Sequence, residues 1–369
     1  MNARVKSSLW GGLALVSACL ILISGMVAGA DGGARDVLNQ PARLSEKAKS
    51  AVLNSVALAG KRLVAVGERG VVLLSDDNGR SWRQAGTVPS SVTLTAVRFA
   101  SSTTGWAVGH SGAVLKTSDA GESWERQLDG SQAAAIELAA ANAAAVTGPS
   151  PTRRQRDAQR LVEEGADKPF LDAYFFDEKR GFVIGAYGLA FATADGGKTW
   201  NSLVGQIENP KARHLYNVAV AGNTLLIVGE QGSLLYSRDG GESFAAIPID
   251  YPGTLFGGLV AQDGSLVVFG LRGNAFRSTD QGKTWQKIDV GQPVTLTAGI
   301  TLRDGRLAVV DETGRLLLSG DHGATFTSQG IAKMNAATGL VEAADGALVV
   351  STWRGPVRIA PEALRAEQK

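Results

Sequence analysis

An eight-residue phrase ending in a large aromatic recurs six times and constrains the fold more than any other feature of the chain. It reads SDDNGRSW at 75–82, TSDAGESW at 117–124, TADGGKTW at 193–200, SRDGGESF at 237–244, STDQGKTW at 278–285 and SGDHGATF at 319–326. The third residue is always aspartate (Asp77, Asp119, Asp195, Asp239, Asp280, Asp321) and the fifth always glycine (Gly79, Gly121, Gly197, Gly241, Gly282, Gly323). A serine or threonine comes seventh, and Trp82, Trp124, Trp200, Phe244, Trp285 or Phe326 comes eighth. The aspartate can accept backbone N–H bonds within its own turn, and the glycine can take a positive φ without a Cβ clash. The aromatic then leaves the turn and buries a large apolar surface under neighbouring strands. A catalytic carboxylate is needed once or twice, so six equivalent ones are read as structural.

The aspartates are 42, 76, 44, 41 and 41 residues apart, so one step carries an extra stretch of about 34. A period near 40 suits one four-stranded propeller blade. Alternating β-branched segments between glycine-containing turns support strands a to d in each unit. Aligned on the b–c turn, the units number seven, through VGERG, VGHSG, IGAYG, VGEQG, FGLRG, VDETG and STWRG. The expected fold is therefore an all-β, seven-bladed propeller with one helical insertion between blades two and three. The seventh unit has no aspartate box and lacks an outer strand. Residues 36–48 precede the first blade and are expected to supply that strand, closing the ring so that no edge is left open.

Residues 1–30 differ in kind. Arg4 and Lys6 precede an apolar run at 9–27 and a small-residue Ala-Gly-Ala site at 28–30, the pattern of a secretory signal peptide. The run is almost long enough for an uncleaved membrane anchor, and LVSAC offers Cys19 for lipidation. The propeller is thus expected at 31–369, in the periplasm, as a monomer. Cys19 is the only cysteine, so the mature chain has no disulfide. His110, His214 and His322 lack ligand spacing, so no metal and no cofactor is expected. Removing Arg4 and Lys6 leaves 35 basic against 35 acidic residues, which argues against a nucleic-acid binder.

Function is sought where the repeats stop agreeing. The b–c turns and d–a connections share one face, opposite the aspartate boxes. Before the shared glycine the turns carry Glu68-Arg69, His110-Ser111, Ala186-Tyr187, Glu230-Gln231, Leu271-Arg272, Glu312-Thr313 and Trp353-Arg354. Arginine and aromatic residues anchor protein interfaces. Glu68, Arg69, His110, Tyr187, Gln231, Arg272, Trp353 and Arg354 are accordingly the candidate partner-binding residues. The insertion, about 129–168, contains an alanine-rich helix and a second, charged helix separated by TGPSP. A helical hairpin beside the central opening would serve as a lid or docking arm.

The six boxes, the phrase GWAVGxxGxxxxTxDxGxxW at 105–124 and seven units behind a signal peptide resemble the photosynthesis system II assembly and stability factor family. That resemblance covers about residues 35–360. It implies a non-enzymatic propeller that binds a newly made membrane subunit through an arginine-rich surface, for which Arg69, Arg272 and Arg354 are candidates by blade position. The alanine-rich insertion departs from the photosynthetic pattern. An exported accessory protein of a transporter or envelope complex is a second reading. A sialidase-like glycoside hydrolase is a third, since aspartate-box propellers include such enzymes. No Arg-Ile-Pro motif occurs, and no glutamate partner is identifiable for Tyr174, Tyr187, Tyr216, Tyr236 or Tyr251. Glu68, Glu230 and Glu312 occupy equivalent turns of different blades and could face one another as a hydrolase requires.

Overall fold

The computed structural model describes residues 36–144, 152–330 and 334–364; the signal-peptide reading of 1–30 lies outside them. Six four-stranded antiparallel sheets and one three-stranded sheet follow one another along the chain. In blade one the strands are Leu53–Ala59 (a), Arg62–Gly67 (b), Val72–Ser75 (c) and Arg83–Gln84 (d). The inner strands of blades two to seven are Leu94–Phe99, Phe170–Phe175, Leu215–Ala221, Leu255–Val260, Leu296–Thr301 and Ala337–Glu342. Each packs beside the next, and the seventh packs beside the first. The expected seven-bladed propeller is what forms.

The aspartate boxes lie on the c–d hairpins and are saturated locally. In the first, Asp77 Oδ1 accepts the N–H groups of Arg80 (3.0 Å) and Ser81 (2.8 Å) and the Ser75 hydroxyl (2.8 Å), while Oδ2 accepts the Ser81 hydroxyl (2.6 Å). The Ser81 hydroxyl and N–H are the main reasons that the Asp77 carboxyl is pulled down to about 2. The turn backbone then presents its aromatic to the preceding blade. Trp124 joins the cluster of blade one with Val64 and Leu74, and Trp82 packs against Ala347 and Val349 of blade seven. A Cβ on Gly79 would stand 2.9 Å from a Val349 methyl, so the positive φ and close approach both require glycine there.

This packing also closes the ring. Arg80 of the first box pairs with Asp345 at 3.0 Å, and Arg358 of blade seven donates to the Asn78 carbonyl at 3.0 Å. The Thr338 hydroxyl donates to the Leu53 carbonyl at 2.7 Å across the same seam. The expected closing strand does not form. Among the described residues blade seven keeps only Ala337–Glu342, Leu348–Thr352 and Gly355–Ile359. Residues 36–45 lap the rim of blade one instead: Ser91 N–H donates to Val37 O (2.9 Å), Ala42 N–H to Val88 O (3.0 Å), and the Gln84 amide clamps Arg43 O and Ser45 N–H. Glu46–Ser50 then form a short 3-10 turn capped by Ser45, and the Gly355 N–H donates to Ala51 O. The stretch carries Pro41 and a capping serine rather than strand alternation, so it meets blade seven as a turn and not as a ladder partner.

The insertion forms helices α1 (Gly130–Ala143) and α2 (Arg153–Glu164). Asp129 with Gln132 and Thr152 with Gln155 make capping boxes, which satisfy the first orphan N–H groups of each helix. The hairpin does not rise beside the central opening. It packs on the outer strand Asn201–Ser202 of blade three. Small residues Ala133, Ala134 and Ala141 allow close approach, and Glu137, only 2% exposed, accepts two bonds from Arg154 and one from the Ser202 hydroxyl. That buried pair ties the arm to the blade edge.

Candidate functional site

Every b–c turn is built by one device. Its first residue donates its N–H to the carbonyl just before the inner strand of the same blade: Glu68 to Val52 O, His110 to Thr93 O, Ala186 to Pro169 O, Glu230 to His214 O, Leu271 to Thr254 O, Glu312 to Thr295 O and Trp353 to Ala336 O. The second residue then enters the left-handed region in five blades, at Arg69, Ser111, Tyr187, Gln231 and Arg272, with φ between 53° and 57°. Such a conformation costs a non-glycine residue about 1–2 kcal/mol. Five non-glycine residues at the same strained place point to their side chains as the reason they are kept.

The glutamates of these turns are engaged by backbone, although Glu312 is also exposed. Glu68 accepts the Val52 N–H (3.0 Å), Glu230 the His214 N–H (2.9 Å) and Glu312 the Thr295 N–H (3.2 Å). Each returns to the same residue that its own N–H binds, a reciprocal clamp that holds turn to connection. Arg69, His110, Tyr187, Gln231, Arg272, Trp353 and Arg354 are exposed on the turns, Tyr187 at 52% and Trp353 at 61%. Arg69, Arg272 and Arg354 have no ion pair among the described residues.

Sequence reasoning missed the channel mouth that these turns surround. All seven inner strands carry a bulge one residue after their first, at Asn54, Thr95, Leu171, Tyr216, Phe256, Thr297 and Thr338. These residues line a central cavity of about 140 Å3. Four are polar and bond backbone: Asn54 to Leu94 O (2.8 Å), Thr95 to Phe170 O (2.7 Å), Thr297 to Val310 O (3.2 Å) and Thr338 to Leu53 O (2.7 Å). The other three are Leu171, Tyr216 and Phe256, on consecutive blades. Aligning the first residues of the inner strands would have exposed the contrast, but the bulge that turns them inward is not written in any one strand.

An aromatic row extends from this apolar side to the rim. Ring centroids lie 5.2 Å apart for Phe256 and Tyr216, 6.2 Å for Tyr216 and His214, and 5.0 Å for His214 and Tyr187. Burial, with the nearby Glu230 charge, raises the Tyr216 phenol above its usual range. Deeper in the channel Asp172 Oδ2 accepts Arg98 (2.8 Å), the Asn217 amide (2.9 Å) and the Val218 N–H (3.0 Å). Its Oδ1 accepts the Ala173 N–H at 2.8 Å, so both oxygens are held by protein donors. A larger cleft of about 580 Å3 opens on the outer side of blade four between Arg213, Gln231 and Pro248. Among the described residues no group of three or more His, Cys, Asp or Glu is placed to hold a metal. No described helix is long and apolar enough to cross a membrane.

Residues 153–301 match the family model described as photosynthesis system II assembly factor YCF48. The photosystem II assembly lipoprotein Ycf48 of Synechococcus sp. (strain CC9902) is 30% identical over 80 residues, 22% of this chain. That match spans 24% of the relative's own length. A solved structure of YCF48 bound to D1 peptide superposes with a TM-score of 0.60 at 16% identity, covering 87% of this chain and 96% of that one. A GH74 enzyme of Niastella koreensis superposes equally well, at 0.60 and 14% identity, over 89% of this chain and 54% of its own. At such identities the superpositions establish the fold alone.

Proposed function

We propose that this chain, which is similar to the photosystem II assembly factors, is a non-enzymatic exported factor that holds a membrane-protein client by its b–c turn face. The observation that carries the reading is the ring of strained turns that present Arg69, Tyr187, Gln231 and Arg272, with the arginines left without carboxylate partners among the described residues. Unpaired guanidiniums on a rigid rim favour an acidic or carboxylate-bearing segment. The family relative is named a lipoprotein, which accords with export and a place beside a membrane. The D1 peptide bound by the YCF48 structure makes a membrane-protein segment a fitting class of client. Likeness to a GH74 enzyme at 14% identity extends to the fold alone and does not favour hydrolysis.

The test is site-specific photo-crosslinking in intact cells. A photoreactive phenylalanine at Gln231 or Ser111 is expected to capture one discrete membrane protein, and Arg69→Glu with Arg272→Glu to diminish it at least fivefold. The same probe at Lys198, on the box face, is expected to capture nothing. Equal capture from both faces, or none from either, refutes the reading.

A further inference from the structure

The ring of bulged residues at the channel mouth is uneven, and its unevenness has a chemical direction. We propose that the side formed by Leu171, Tyr216 and Phe256 is a side-chain subsite, which takes one aromatic or long aliphatic side chain from an extended acidic segment of a protein partner. The inference rests on the client-binding reading above and names what that client must present.

A bulge turns a side chain away from its regular place in the sheet, and the same bulge occurs in all seven inner strands. Where the residue is polar, the fold uses it: the hydroxyl of Thr95 and the amide of Asn54 bond carbonyls of the next blade, and Thr338 does so across the seam. Leu171, Tyr216 and Phe256 make no such bond, yet they stay half-buried at a concave mouth. Tyr216 and Phe256 meet edge to face at 5.2 Å, and His214 and Tyr187 continue the row to the exposed rim. Half-exposed aromatic faces in a concavity are surfaces on which a partner's apolar side chain is desolvated well.

The depth of the mouth limits the occupant. About 140 Å3 is room for roughly five waters. Its polar wall, where Arg98 and Asn217 both donate to Asp172, offers no second apolar place. One side chain enters while its backbone crosses the face. The charge of the flanking residues follows from the rim, where Arg272 stands without an ion pair while the carboxylate of Glu230 is held by the His214 N–H. Acidic neighbours are therefore favoured on the segment.

The experiment uses the purified exported chain and fluorescein-labelled twelve-residue peptides of Ser, Asp and Gly with one central Phe, or Ser in its place, read by anisotropy. The Phe peptide is expected to bind at least tenfold more tightly than the Ser peptide. The double variant Tyr216→Ser, Phe256→Ser should bring the Phe peptide to the level of the Ser peptide, while Arg272→Glu weakens both by a similar factor. Thr297→Ser, on the polar side of the ring, should leave the ratio intact, and thermal melts check that each variant is folded. A Phe-to-Ser ratio near one, a ratio unchanged in the folded Tyr216/Phe256 variant, or no binding of either peptide overturns the subsite. If cross-linking from Gln231 still captures a client in that event, the client-binding reading survives; if it captures none, that reading fails on its own test.

Discussion

Breaking the ion pair under the helical arm should destabilise the propeller in an order fixed by burial. Glu137 is 2% exposed at its side chain and Arg154 27%, and they meet through Nε at 2.8 Å and a second nitrogen at 3.0 Å. Arg154→Met strands a carboxylate that cannot reach water, with the Ser202 hydroxyl as its one remaining side-chain donor. Losing one partner of such a pair costs about 3–5 kcal/mol. Glu137→Leu leaves a guanidinium that can turn toward solvent through its exposed quarter, so about 2 kcal/mol is expected, below that same range. The double variant Glu137→Leu, Arg154→Met removes both charges together and should cost about 1 kcal/mol or less, since well-packed apolar replacements of buried pairs are near neutral. Urea unfolding followed by tryptophan fluorescence measures all three, with Trp200 reporting from the same blade. The coupling would then be about 4–6 kcal/mol, well above the few tenths expected of independent sites. Single losses below 1 kcal/mol that add up to the double would refute the reasoning and show the arm to be a solvated embellishment.

Three further outcomes follow from the geometry. Arg272→Gly should relieve the left-handed residue and raise stability by up to about 1 kcal/mol, while lowering client capture; a fall in melting temperature with capture unchanged would contradict the turn's role. The box carboxyls of Asp77, Asp195 and Asp280 are held at about 2, chiefly by the hydroxyl of the residue just before the box aromatic. Because folding lowers these values below the unfolded one of about 3.9, their stabilisation is complete above pH 4 and is lost as pH falls toward 2; near-ultraviolet circular dichroism unchanged from pH 5 to 2 would contradict it. Thr338→Val removes the hydroxyl that reaches the Leu53 carbonyl across the seam and should cost about 1 kcal/mol, whereas Thr297→Val, whose hydroxyl stays within its own blade, should cost less; equal losses in urea melts would show that the seam has no special weight.

The boxes were legible because their chemistry is local. Asp77 finds all its donors between Ser75 and Ser81, so eight residues suffice to specify the turn, and six copies specify the period. The helical insertion was legible for the same reason, through Asp129 and Thr152 as caps and an alanine-rich run. Its position was not. An amphipathic hairpin can dock wherever its face is matched, and the match here is Ser202, 65 residues from Glu137. The candidate site divides in the same way. Arg69, Tyr187, Gln231 and Arg272 could be marked by aligning turns, but Glu68 and Glu230 looked equally displayed until the d–a connections were seen to hold them.

The number of blades and the place of the insertion could be read locally, since each depends on hydrogen bonds and φ values within a few residues. How the ring closes, through Arg80, Asp345 and Arg358 rather than through a strand at 36–48, and the gathering of Leu171, Tyr216 and Phe256 on one side of a common mouth came only with the assembled blades. Those outcomes depend on contacts between blades tens to hundreds of residues apart. No local propensity encodes them, because the free energy that selects them is the burial and pairing available only once seven sheets have met.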